Sequence, residues 1–183
     1  MRKILLVTLA LVFFLNSCSF IGGNMQNRDE RISNNLTEKI IEICENRNWT
    51  LFNDLFAKNA IKESENFLKN AQNLVSYYKG EFVSYENRGN EIEKTRIDSY
   101  ENEIFYTSYD VVTTEGVFRI ATKYITMDTR ESDNVGLWSL FIISMEKDGH
   151  PDYAYRGDTG YPAGIYIDIQ GTPPQEETGD EET

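Results

Sequence analysis

The apolar period of this chain changes from helical to alternating at Gly80, and that switch constrains the fold more than any other feature. Over residues 35–78, large apolar side chains recur every three or four positions, the spacing of one helix face. Asn35 suits a helix N-cap with Glu38 in the reciprocal position, which puts Leu36, Ile40, Ile43 and Cys44 on a common face. Asn48 suits the cap of a second short helix carrying Trp49, Phe52, Leu55 and Phe56. Ser64, Phe67, Leu68, Ala71, Leu74 and Val75 mark a third helix, which ends before Gly80. Beyond Gly80 the period is two. Residues 82–86 read as a short strand, Asn87-Arg88-Gly89-Asn90 as a turn, and residues 91–100 as a polar, edge-like strand. Residues 104–112 and 117–127 are joined by Thr113-Thr114-Glu115-Gly116, a hairpin turn. Residues 136–145 are apolar on both faces, which predicts a central strand. Helices first and a meandering antiparallel sheet afterwards is an α+β layout, with N-terminal helices packed on one sheet face.

Composition agrees with a sheet-rich domain. Aromatic residues make up 13%, with 11 Tyr and 10 Phe, and favour strands with large half-buried faces. Formal net charge is −12, which argues against a nucleic-acid partner, because an acidic surface repels phosphate backbones.

The N-terminus reads as an export address. Arg2 and Lys3 precede a charge-free apolar run over residues 4–15, far short of the ~20 residues that span a bilayer. Leu15-Asn16-Ser17-Cys18 then resembles the bacterial lipobox. The resemblance implies removal of residues 1–17, a diacylglyceryl thioether on Cys18, and a membrane anchor on the extracytoplasmic side. An ordinary signal peptide followed by a chance cysteine is the alternative. Residues 18–33 read as the lipidated cysteine and a flexible tether, with Gly22-Gly23 inside it. Residues 34–170 read as a single domain. Residues 171–183, with Pro173-Pro174 and five carboxylates, read as a disordered acidic tail. With Cys18 acylated, Cys44 has no disulfide partner, and its place on an apolar face predicts a buried structural thiol.

Four stretches together resemble a lipoprotein family of Firmicutes. They are the lipobox, Leu51-Phe52-Asn53-Asp54-Leu55-Phe56, Gly80-Glu81-Phe82-Val83-Ser84-Tyr85-Glu86, and Asp133-Asn134-Val135-Gly136-Leu137. That family has no known function and sits within the nuclear-transport-factor-two-like superfamily. The resemblance covers about residues 35–167. It implies a cone-shaped α+β barrel, a strongly curved sheet wrapped around helices with a cavity at its mouth. The superfamily holds isomerases, dehydratases and many binders, so fold alone does not decide function.

An isomerase of that kind needs a carboxylate base in an apolar cavity with a phenol or acid as oxyanion donor. Asp98, Asp110 and Asp128 supply the residue type, and Asp110 beside Tyr109 is the catalytic candidate. A solvent-facing sheet aspartate is its ordinary alternative. Tyr85, Tyr106, Tyr124 and Trp138 are candidates for binding a small apolar or aromatic ligand, since each offers an apolar face and one polar tip. Core packing is their ordinary role. His150 is the only histidine, so a site with two His ligands is excluded. Asp148, His150, Asp152 and Asp158 fall in a Gly/Pro-containing loop without the spacing of an EF-hand, and read as a solvated turn rather than a metal site. Asp128 to Asn134 reads as a polar loop. Nucleophile elbow, phosphate-binding loop and zinc-protease motifs are all missing, and no cofactor is expected. The leading expectation is a non-catalytic binder of a small ligand or an envelope protein. An isomerase- or dehydratase-like enzyme using Asp110 and a tyrosine is the rival, and a passive structural lipoprotein is a third reading.

Overall fold

A computed structural model describes residues 28–146 and 160–168. The expected signal, Cys18, most of the expected tether, the expected loop around His150 and the expected acidic tail lie outside the described residues. Helix α1 (Arg28–Glu45) starts well before the expected cap at Asn35. Residues 28–33, expected within the tether, form the first turns of this helix: nothing in them breaks a helix, and Asp29 and Glu30 suit its first turn. Ser33 and Asn34 are buried, and the Asn34 side chain turns to the sheet. The compact unit that carries the core begins at Ile32, inside α1.

After α1 the chain turns at Arg47, whose φ is +54°, and enters a 3-10 turn (Trp49–Leu51). Helix α2 (Phe52–Leu55), helix α3 (Lys58–Glu63) and helix α4 (Phe67–Tyr77) follow. Helix α3 falls between the expected second and third helices. Its buried face contains only Ala60, which gives no apolar period to read. Ile40, Cys44, Phe52, Ala60, Ala71, Leu74 and Tyr78 are closed to solvent and form the helical half of the core. Burying each large side chain here contributes about 1.5–3 kcal/mol.

The sheet runs β1 (Phe82–Ile97), β2 (Tyr100–Thr113), β3 (Gly116–Asp128), β4 (Gly136–Ser144) and β5 (Gly164–Ile167), with neighbours in that order. The fold is α+β as expected, but the sheet is mixed rather than antiparallel: β5 pairs parallel to β4. A short strand of four residues after a long connection leaves little periodicity to announce it. The described strands form an open sheet, with β1 and β5 at its edges. β4 has partners on both sides, in line with its two-sided apolar pattern.

The expected turn at residues 87–90 is a β-bulge inside one continuous strand. Asn87 Oδ1 accepts the Gly89 N–H at 2.8 Å, and the register against β2 slips at that point. The chain reverses later, at Asp98-Ser99, where Asp98 takes φ +54°. Alternation then sorts β2 and β3 between two faces. Tyr109, Val111, Phe118 and Ile120 join the helices in the core, whereas Tyr106, Ser108, Asp110, Arg119 and Ala121 belong to the outer face.

Candidate ligand-binding groove

Three cross-strand rows build the outer face. One carries Glu86, Asp110 and Arg119, and another carries Glu91, Tyr106 and Lys123. The row between them is Gly89, Ser108, Ala121, Phe141 and Tyr166, small on β1 to β3 and large on β4 and β5. Small side chains between two rows of long ones leave a trough. The groove holds about 430 Å³, with Gly89, Ser108 and Ala121 along it and Arg88, Arg119, Tyr106 and Tyr161 around them.

One wall is ionic. Arg119 donates from Nε to Asp110 Oδ1 at 2.6 Å and from Nη2 to Oδ2 at 3.0 Å, a bidentate pair. Arg88 Nε adds an ion pair to Oδ2 at 3.2 Å. Asp110 is 14% exposed and Arg119 17%, so the pair is fixed and largely dry, whereas Arg88 at 45% is a flexible outer member. The other wall is aromatic. Tyr106 and Tyr161 rings lie 4.8 Å apart, and Tyr161 meets Phe141 edge-on at 5.7 Å. Phe141 in turn stacks on Tyr166 at 4.9 Å. Burial, with the Glu93 carboxylate at 3.2 Å, pushes the Tyr106 phenol up to about 12, so it stays a neutral donor.

The four expected ligand residues do not converge. Only Tyr106 lines this groove. Tyr85 packs edge-on against Tyr109 at 5.5 Å and donates its hydroxyl to Glu38 Oε1 at 2.8 Å, tying β1 to α1. Tyr124 borders a hollow of about 170 Å³ beside Ile32, Leu36 and Lys39 of α1. Trp138 borders a separate cleft and has Lys123 Nζ 5.4 Å from its ring centroid.

The Asp110–Tyr109 pair is also divided. Successive strand residues point to opposite faces, and Tyr109 is buried against the helices. Its hydroxyl donates to Asn34 Oδ1 at 2.7 Å and accepts from Asn87 Nδ2 at 3.0 Å. Both oxygens of Asp110 are already occupied by guanidinium donors. The other aspartates serve turns. Asp98 shapes the β1–β2 reversal, and Asp128 Oδ1 accepts the N–H groups of Arg130 and Glu131, each at 3.0 Å. Among the described residues no group of three His, Cys, Asp or Glu side chains gathers to hold a metal, and no helix is long and apolar enough to cross a membrane.

Sequence reasoning missed Arg88, Arg119 and Tyr161. A signal existed for Arg119. The hairpin turn at residues 113–116 fixes the register of β2 on β3, and that register sets Asp110 opposite Arg119. Arg88 depends on the bulge and Tyr161 on the return of the chain to β5, and neither is written in local periodicity.

Two comparisons bear on this architecture. A family model described as a domain of unknown function (DUF5104) matches residues 39–145, from within α1 to the end of β4. No curated protein matches the chain.

Proposed function

The chain belongs to the DUF5104 family of domains of unknown function, and from that premise we propose a non-catalytic binding module, held to the outside of a membrane by lipid on Cys18. Its outer-face groove takes a small aromatic ligand. One observation carries this reading: the Gly89–Ser108–Ala121 trough lies between a clamped guanidinium wall and a pair of tyrosine rings. A planar apolar body fits against the rings, and a polar substituent meets the arginines. Pinning of Arg119 by Asp110 keeps that wall in place before a ligand arrives, which lowers the ordering cost of binding. The enzyme alternative, an isomerase or dehydratase, has no converging Asp110–Tyr109 pair to rest on. The Firmicutes lipoprotein relation and descent from the cone-shaped barrel of the nuclear-transport-factor-two-like superfamily belong to the same proposal. They are supported by helices on one sheet face and by the lipobox-like start.

The test uses the space at Gly89, where an added Cβ meets nothing within 4 Å. Gly89→Leu fills the trough from its rim while leaving the core untouched. Native mass spectrometry of the chain purified from its own cells should show a small bound molecule that Gly89→Leu loses. An empty protein, or a ligand retained by the variant, would sink the groove as the binding site. Anchoring has its own test: Cys18→Ala should abolish incorporation of a fatty-acyl label. An envelope protein is the second partner class, favoured by the solvent-facing β1 edge, where Val83 and Ile97 are 57% and 59% exposed.

A further inference from the structure

A second cleft, of about 550 Å³, opens where the turn between α3 and α4 meets β4 and β5. We propose that it is a binding site for a neutral saccharide, independent of the outer-face groove. Trp138 and Tyr166 give it aromatic sides, and Ser64, Asn66, Glu63 and Glu65 give it a polar rim. Aromatic faces against sugar C–H groups, ringed by amides, hydroxyls and carboxylates that satisfy sugar hydroxyls, form a chemistry suited to carbohydrate. Among the described residues, the side chains of Glu63 and Asn66 make no hydrogen bond or ion pair, so they are available to a ligand.

The cleft is built rather than incidental. Asn70 Nδ2 donates across it to Ile165 O at 3.2 Å, joining α4 to β5. Tyr166 donates to Ala163 O at 2.8 Å, and Ser139 Oγ donates to Pro162 O, fixing the lip before β5. At Gly164 an added Cβ would lie 2.3 Å from Ser64 Oγ, so β5 is seated directly against the α3–α4 turn.

Charge selects among sugars. Glu63 and Glu65 repel an anionic saccharide. The same carboxylates attract a cationic one, but the Lys123 ammonium 5.4 Å from the Trp138 ring centroid opposes stacking of a second cation on that ring, and the aromatic contact goes to an uncharged sugar. An uncharged, hydroxyl-rich ligand avoids both conflicts.

The test uses the full chain and three neutral trisaccharides, chitotriose, cellotriose and maltotriose, with the glucosamine trimer and trigalacturonate as charged counterparts. At least one neutral sugar should bind by calorimetry and change tryptophan fluorescence. That change should persist in Trp49→Phe and vanish in Trp138→Phe, which removes the only other indole. Asn66 adopts φ +55°, a conformation glycine takes without strain, so Asn66→Gly removes the amide while sparing the fold. It should weaken binding about tenfold, the loss expected for one good polar contact. The proposal is overturned if none of the neutral sugars binds, if a charged trimer binds as tightly, if the signal follows Trp49, or if Asn66→Gly binds unchanged. Gly89→Leu should leave sugar binding intact, so this result is separable from the groove's.

Discussion

The Tyr109 hydroxyl donates to Asn34 Oδ1 at 2.7 Å inside the core, joining the middle of β2 to the second turn of α1. Asn34 is 9% exposed and Tyr109 is fully closed to solvent, so water offers no ready substitute. Tyr109→Phe should therefore cost about 1–3 kcal/mol in urea unfolding, the penalty of a buried polar group left unpaired. Replacing both partners, with Asn34→Leu added, should recover part of that loss, because no orphaned acceptor remains. Equal or additive losses in the double variant would show that the bond does not couple helix to sheet.

Asp110 and Arg119 lead to a second expectation. Asp110→Asn leaves two guanidinium groups facing an amide in a mostly dry position and should cost about 1–3 kcal/mol. Arg88→Gln removes only the half-exposed outer member, and its effect should stay within about 0.5 kcal/mol. Chemical denaturation of the two variants checks the order. A larger loss for Arg88→Gln would mean that the bidentate pair is not the fixed part of the wall.

How much of this was legible follows from where the information sits. The switch at Gly80 placed helices before strands, and the two-sided apolar run of β4 placed it between neighbours. Both are properties of consecutive residues. The bulge at Asn87-Gly89 failed because turn-forming residues are the same ones that close a bulge, and only the partner strand decides between them. Asn35 read as a cap because its side-chain type suits one, yet it lies inside α1, and its neighbour Asn34 gives its side chain to Tyr109. The ligand candidates scattered because aromatic spacing along a chain reports a face, whereas a groove is made across strands. Cross-strand rows such as Gly89–Ser108–Ala121 appear only once register is known.

Gly136 shows a further dependence on tertiary contact. Its φ is +135°, and an added Cβ would lie 2.6 Å from Ala57 N and 3.0 Å from Phe56 C. These are backbone atoms, held by the Ala57 N–H bond to Leu137 O at 2.9 Å, and they do not move aside cheaply. Gly136→Ala should cost more than about 2 kcal/mol, combining backbone strain with steric conflict. Gly89→Ala, with open space at the same atom, should change stability by less than about 0.5 kcal/mol. Paired thermal melts test the contrast, and comparable shifts would contradict the packing of the Phe56-Ala57 link between α2 and α3 against β4.

Cys44 links burial to pH. The thiol is closed to solvent, and burial pushes it from 9.0 up to about 12, with Arg47 opposing and Glu45 adding to the rise. A folded value above the unfolded one means that the unfolded chain loses its thiol proton first. The thiol's contribution to stability is therefore complete below about pH 9 and is lost progressively as pH rises towards 12. Cys44→Ala should be less stable than the parent at pH 7, because a packed side chain is removed. Its stability should then fall less steeply between pH 9 and 12, so the gap between the two proteins narrows. Denaturant melts across that interval measure the slopes. Parallel slopes, or rapid alkylation of Cys44 in the folded protein at pH 8, would show that the thiol is not held protonated by the core.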